Sequence, residues 1–300
     1  MLSGKHAGKF LTEENKMRNR EIKLRKQLHD SLREKYAQGY GKPKHGLKDE
    51  HNSTPAIHST NTYKTYNRAV NAFADWCKGM DIKDMPTAQK RIPEYMDKLN
   101  AEGKSAFTQS TIMSGLAKAF GIHTTDINYK LPQRKRSDIV RSRDIAARDR
   151  HFSPEKNQEL IRFCEATGLR RRELEALRGS QMTFKGDKVF IHVKNGKGGK
   201  ERLVEVVKDE RLVKDMCERA GEGKVFPRVH GSADIHFYRG NYAKAIYRKY
   251  ARDINKLEKH EKYYCRGDMK GQVYDRRAMQ IASENLGHNR IDVIASNYLY

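Results

Sequence analysis

LGHNRIDVIASNYLY, residues 286–300, carries the strongest signal in this chain. A Gly-His pair is followed ten residues later by Tyr298. Gly287 marks a helix end, and Ile291, Ile294 and Tyr298 fall on one face of the helix that follows. Taken alone, Tyr298 reads as a core aromatic on that face. A tyrosine is also a poor nucleophile at neutral pH. With an ordinary pKa of about 10, roughly one hydroxyl in a thousand is ionised. Chemistry at Tyr298 therefore requires cationic and hydrogen-bonding groups from elsewhere in the chain.

The composition supplies cations in excess. Lys and Arg total 61 against 38 Asp and Glu, a formal net charge of +23 over 300 residues. That excess is beyond what solubility needs and points to a polyanionic partner, nucleic acid first. A membrane partner is disfavoured, because no apolar run approaches the ~20 residues of a span and no basic segment carries a long apolar face. The N-terminal stretch lacks the apolar core of a signal peptide. Cys77, Cys164, Cys217 and Cys265 have no paired spacing, which fits reduced core thiols better than a disulfide frame or a zinc site.

The length suggests two folded domains. Residues 1–59 read as a basic extension: a helix over about 12–37, sparse in apolar residues and expected to order on DNA or a partner, then a linker. Residues 60–130 read as a helical domain. Tyr63, Tyr66, Val70, Phe73 and Cys77 recur at three- and four-residue spacing. Thr87 opens a second helix with Ile92, Tyr95, Met96 and Leu99 inward, and Ser105 or Thr108 a third with Ile112, Leu116 and Phe120. Residues 131–150 form a basic linker. Residues 151–300 form a second domain. Its first helix follows Ser153-Pro154-Glu155 and stops at Gly168. A β-hairpin pairs the alternating Val189, Ile191 and Val193 with the strand 202–207. The remainder reads as helices. The expected fold class is mainly α with a small antiparallel β-sheet, an α+β second domain.

Four elements of the second domain carry chemistry. In TGLRRRELEAL, residues 167–177, Arg170 lies at a helix junction with Glu173 three residues on to hold its guanidinium. The hairpin tip NGKGGK, residues 195–200, presents Lys197 and Lys200 on a flexible turn. In HFYR, residues 236–239, His236 and Arg239 share a helix face. The closing stretch adds His288 and Tyr298. Each element alone is commonplace.

Their order, Arg, Lys, His-x-x-Arg, Gly-His, Tyr, resembles the tyrosine recombinase (phage integrase) family. The match spans the second domain, and the helical bundle before it is similar to that family's core-binding domain. The resemblance implies Arg170 and Arg239 as a phosphate clamp, Lys197 as general acid, His236 and His288 as phosphate and proton-handling partners, Tyr298 as nucleophile and Glu173 as support. Lys200 and Arg202 on the hairpin, with Arg134, Lys135, Arg136, Arg141 and Arg143 in the linker, are expected to contact phosphates. The implied reaction forms a 3′-phosphotyrosyl link and needs no cofactor and no metal. The implied partners are double-stranded DNA at specific recombination sites, clamped between the two domains, and three further copies in a homotetramer on two duplexes. The free protein is expected to be a monomer or weak oligomer, and an accessory DNA-bending or directionality protein is compatible with the resemblance. The expected location is the bacterial cytoplasm, associated with the nucleoid, and the expected biological setting is a mobile element.

Three departures qualify the resemblance. The His288–Tyr298 spacing is ten residues, one longer than in the family, which makes Tyr300 a rival nucleophile. Forty-nine positions separate Arg239 from His288. The excess, near 249–274, is expected to be a DNA- or subunit-contacting flap in which Asp268-Met269-Lys270-Gly271 turns between two extended arms. Many family members continue past the tyrosine with a helix that docks on a neighbouring subunit. Here either the sequence stops short of that helix, or the helix is absent and coupling is expected through other surfaces or through the tyrosine segment itself. A type IB topoisomerase and a non-catalytic DNA-binding regulator are the alternative readings.

Overall fold

Leu24, Leu28 and Leu32 lie four residues apart and are almost fully buried. They sit on α1 (Glu13–Gly39) and pack into the core of the first of two compact units, Met1–Asp138. The computed structural model describes residues 13–43, 45–50, 53–135, 138, 151–197 and 199–299. Helix α1 is thus part of the bundle, contrary to the expectation that it orders only on a partner. The four-residue apolar stripe was the signal, masked by the high charge around it. Residues 53–59 are not a free linker either. Ile57 is 1% exposed and its N–H donates to the Lys35 carbonyl.

The remaining helices of this unit are α2 (Thr60–Gly79), α3 (Met85–Lys90), α4 (Ile92–Ala101) and α5 (Ala106–Phe120). The helix expected from Thr87 is two helices. Asp84 caps α3 by accepting from the Thr87 N–H at 2.8 Å. Pro93 lies in the first turn of α4, where its missing N–H costs nothing and its ring separates α4 from α3. Ser105 caps α5. Phe73 meets Tyr95 and Phe120 edge-on, as the aromatic periodicity implies. The unit runs past residue 130. Leu131 packs on its core, and Arg134 lies over the Phe107 ring and donates to Ser110 Oγ at 2.8 Å.

The second unit, Ile139–Tyr300, has its own core. It holds α6 (Gln158–Thr167), α7 (Arg171–Ala176), α8 (Glu210–Ala220), α9 (Ile235–Tyr250), α10 (Arg276–Leu286) and α11 (Asp292–Asn297). Strands β1 (Met182–Lys185), β2 (Lys188–Val193) and β3 (Arg202–Glu205) form an antiparallel sheet in that order. The expected hairpin is β2–β3, with Ile191 opposite Val204. Strand β1 has only four residues, and although Met182-Thr183-Phe184-Lys185 alternates in polarity, none of the four is buried, so no core-facing stripe marks it. Val189, Ile191 and Val193 face the core. The insertion near 249–274 folds partly as a second hairpin, β4 (Lys262–Tyr264) with β5 (Val273–Asp275), turning where expected. Cys77, Cys164, Cys217 and Cys265 are all buried.

The fold is mainly α with small antiparallel sheets. Among the described residues, no helix is long and apolar enough to cross a membrane.

Candidate active site

Helix α6 ends at Gly168, whose φ of +58° needs a residue without a Cβ. A Cβ there would also lie 2.3 Å from the fully buried Tyr242 ring. This tight turn places Arg170 at the start of α7. Its N–H donates to Glu173 Oε2 at 2.8 Å and its guanidinium to Glu173 Oε1 at 2.9 Å. The guanidinium also donates to the Leu286 carbonyl, at 2.9 Å.

Arg239, one turn into α9, is 2% exposed. It donates to the carbonyls of Gly168 and Leu286, and its Nε donates to the Tyr298 hydroxyl at 3.2 Å. Three of the five N–H donors of a guanidinium are thereby used, and a fourth, on Nη2, faces His288 Nε2, leaving one on Nη1. His288 Nε2 lies 3.3 Å from the Tyr298 hydroxyl and 3.4 Å from the Arg239 guanidinium. The His236 ring centroid is 5.3 Å from that of Tyr298. Tyr298 itself is 4% exposed.

These groups share one cleft of about 940 Å³, lined by Arg170, Lys197, Lys200, His236, Arg239, His288 and Tyr298. The six residues expected to do chemistry are therefore brought together. A larger open cleft of about 1200 Å³, beside β4, holds none of the six. Lys197 is exposed at the hairpin tip. The tip is seated against the body of the domain at Gly196, where an added Cβ would come within 2.8 Å of both the Lys200 carbonyl and the Arg202 guanidinium.

The electrostatics follow from crowding cations into a partly dry space. Burial, then Arg239, Arg170 and Lys197, depress His288 to about 4. His236 is lowered as well, by loss of surrounding water and then by Arg239. Both shifts favour the neutral imidazole. Arg239 Nε–H donates to the Tyr298 oxygen, so the phenolic hydrogen is free to point at His288 Nε2. Burial alone would raise the Glu173 carboxyl. The bonds and charge of Arg202, with Arg170, outweigh it and hold Glu173 at about 2.

Arg202 corrects the sequence expectation. It does not reach outward to a phosphate. Its side chain is 8% exposed and donates to Glu173 Oε1 and Oε2 at 3.0 and 2.7 Å and to the Asn285 carbonyl at 2.9 Å. Glu173 thus binds two arginines, one from α7 and one from β3. Lys135 is exposed, and Arg134 is exposed but engaged with Ser110 and Phe107. Arg136, Arg141, Arg143 and Tyr300 lie outside the described residues.

The backbone completes a site that can bind an oxyanion and take a proton from a phenol. No family model and no curated protein matches the chain. Among solved structures, the XerH site-specific recombinase bound to difH substrate, in a pre-cleavage complex, aligns over 93% of both chains with a TM-score of 0.51 and 15% identity. The fold is that of a tyrosine recombinase. The Tn1549 transposon integrase in complex with transposon right end DNA is also similar, covering 81% of this chain and 90% of that one at 13% identity and a TM-score of 0.43. The XerA recombinase covers 80% and 87% at 17% identity and a TM-score of 0.31.

Within this tyrosine-recombinase fold, sequence reading missed three supports. Arg171 donates to the carbonyls of His230, Gly231 and Ala233, at 2.9, 3.3 and 2.7 Å, and so fixes the loop that leads into α9. The Asn285 amide oxygen accepts from the Glu205 N–H at 2.7 Å and from Tyr242 at 3.1 Å, tying α10 to β3. The Leu286 carbonyl serves both Arg170 and Arg239. A run of three adjacent arginines gives no hint of which one faces inward, and a backbone carbonyl has no sequence signature.

Proposed function

We propose that this chain is a site-specific DNA recombinase that cleaves and rejoins strands through Tyr298, in the service of integrating or excising a mobile element. One observation carries the reading: the Tyr298 hydroxyl lies within reach of both a buried guanidinium, Arg239, and a neutral imidazole, His288. A core tyrosine needs neither.

The chemistry runs as follows. A scissile phosphate enters the cleft and takes the remaining donor of Arg239 and those of Arg170. Two fixed guanidinium forks match the non-bridging oxygens, whose charge grows as the phosphorus becomes five-coordinate. Tyr298 Oη attacks phosphorus while its proton passes to His288 Nε2. The bond from phosphorus to the 5′-oxygen breaks, and Lys197 protonates the leaving oxygen. The products are a 3′-phosphotyrosyl link and a 5′-hydroxyl. The energy of the phosphodiester is kept in the new ester, so the reverse reaction with a partner strand's 5′-hydroxyl rejoins DNA without an added energy source. Glu173 holds Arg170 and Arg202 in place. His236 is a further phosphate partner.

Double-stranded DNA is the proposed substrate, consistent with the net charge of +23. Strand exchange between two duplexes requires four active sites, hence a homotetramer on DNA. The XerH complex was captured on difH substrate, which supports DNA as the ligand of this scaffold.

A nicked duplex carrying the ends of the element that encodes the chain tests the reading. Loss of the short fragment after attack leaves the protein covalently trapped. Trapping by the parent and none by Tyr298→Phe, with binding retained, is the expected result. Trapping by Tyr298→Phe but not by Tyr300→Phe would reassign the nucleophile. Relaxation of supercoiled DNA lacking any such end would mark a topoisomerase instead.

A further inference from the structure

The hairpin β4–β5 lies against the protein's own nucleophile segment. Cys265 and Met269, in and beside its turn, are buried in the core of the catalytic unit. At the end of β5 two adjacent residues reach in different directions.

Asp275 is fully buried and anchors the strand. Its carboxylate accepts from the Arg252 guanidinium at 2.8 and 2.9 Å and from the Arg252 N–H at 3.0 Å. It also caps α10 through the Arg277 N–H at 2.9 Å. Its own N–H donates to the Tyr247 hydroxyl at 3.0 Å. Tyr247 belongs to α9, the helix that carries His236 and Arg239. β5 is therefore fixed to α9, which carries Arg239, and to α10, whose Leu286 carbonyl receives both Arg170 and Arg239.

Tyr274 uses that fixed point. Its ring packs edge-on against Tyr247, centroids 5.6 Å apart, and its hydroxyl donates to the carbonyl of Leu299. The hydroxyl also lies 2.7 Å from the Gln272 side-chain oxygen. A phenol has one hydrogen, so both bonds are made when the Gln272 amide is turned to donate while Tyr274 donates to Leu299.

Leu299 directly follows Tyr298. The helix before them, α11, has six residues, and Tyr298 has already left helical geometry at φ −132° and ψ −33°. The N–H groups of Tyr298 and Leu299 both fall back on the Ile294 carbonyl, at 3.0 and 3.1 Å. A helix this short does not hold its own end.

We propose that Tyr274 is a positioning residue: by gripping the Leu299 carbonyl it ties the nucleophile segment to the same frame that holds Arg239. This assigns the insertion an intramolecular role, where sequence reading expected a DNA- or subunit-contacting flap. It rests on the reading of Tyr298 as nucleophile.

Tyr274→Phe removes the hydroxyl and keeps the ring on Tyr247. Two readouts on the full chain are needed: single-turnover cleavage of a saturating nicked duplex, and the 19F resonance of 3-fluorotyrosine placed at position 298. The expected result is a cleavage rate lowered by about 3- to 10-fold, the range one hydrogen bond supports. DNA affinity and melting temperature stay unchanged, and the single fluorine line broadens or splits. An unchanged cleavage rate or an unchanged fluorine line overturns the proposal. So does an equal loss of DNA affinity, which would mark a general structural role. Cleavage by Tyr298→Phe would remove the underlying reading and this proposal with it. The fluorine line needs no cleavage, so failure of the tether and failure of the nucleophile assignment are separable.

Discussion

Arg170 and Arg239 donate to one carbonyl oxygen, that of Leu286, the last residue of α10. Two guanidiniums side by side repel. The C-terminal end of an eleven-residue helix offers them its unsatisfied carbonyls and the negative end of its dipole. Glu173 balances Arg170 from one side, and the Gly168 carbonyl receives Arg239 from the other. Protein acceptors thus hold the two guanidiniums side by side.

Arg239→Lys keeps a positive charge and loses the fork. A lysine cannot reach Gly168, Leu286 and Tyr298 together. Single-turnover trapping of a nicked duplex should fall by about 10²- to 10³-fold, the scale of one lost transition-state donor. DNA affinity in a gel-shift titration should change far less. Equal losses in both would argue that Arg239 serves binding alone.

His288 should titrate near 4, well below the ordinary histidine value of 6.5. The sign follows from its surroundings. Burial and the neighbouring cations disfavour the charged ring, so the neutral, proton-accepting form persists as pH falls and is lost only toward 4. NMR of the His288 ring protons in the free protein reads this directly. Lys197→Ala removes one of the depressing charges and should move the midpoint upward.

Glu173 sits at about 2, below the ordinary carboxyl value of 4.5. A depressed carboxyl contributes stability that is present above the ordinary value and is lost as pH falls toward the folded one. Between pH 4.5 and 2 the parent's melting temperature should therefore fall more steeply than that of Glu173→Gln. At pH 7 Glu173→Gln leaves Arg202 buried without its counter-ion and should destabilise by about 3 kcal/mol, measurable in urea.

Leu28→Ala tests whether α1 belongs to the first bundle. Leu28 is fully buried. Its truncation should cost about 2–5 kcal/mol if the helix is integral. No change in the protein's urea unfolding in the absence of DNA would return α1 to the status of an arm that folds on its partner.

Much of the site was legible because its side chains are chemically rare in combination. An arginine with a glutamate three residues on, a glycine-lined lysine turn, a His-x-x-Arg face and a Gly-His before a tyrosine each leave a local pattern. Arg170, Lys197, His236, Arg239, His288 and Tyr298 all line one cleft, with Glu173 behind Arg170. Arg202 was misjudged for a plain reason: an arginine on a basic strand looks the same whether it faces a phosphate or a buried carboxylate. The insertion was legible as two arms and a turn, and its contact with Leu299 was not.

The sequence by itself determined the cationic excess, the helical periodicities, the turns and the order of the candidate site residues. These depend on composition and on residues within a few positions of one another. The tertiary structure alone decided that Glu173 joins Arg170 to Arg202, that Leu286 joins Arg170 to Arg239, and that Tyr274 grips the chain beside Tyr298. Those bonds join groups up to 116 positions apart or end on backbone carbonyls, which every residue carries alike, so only the folded path of the chain selects which ones meet.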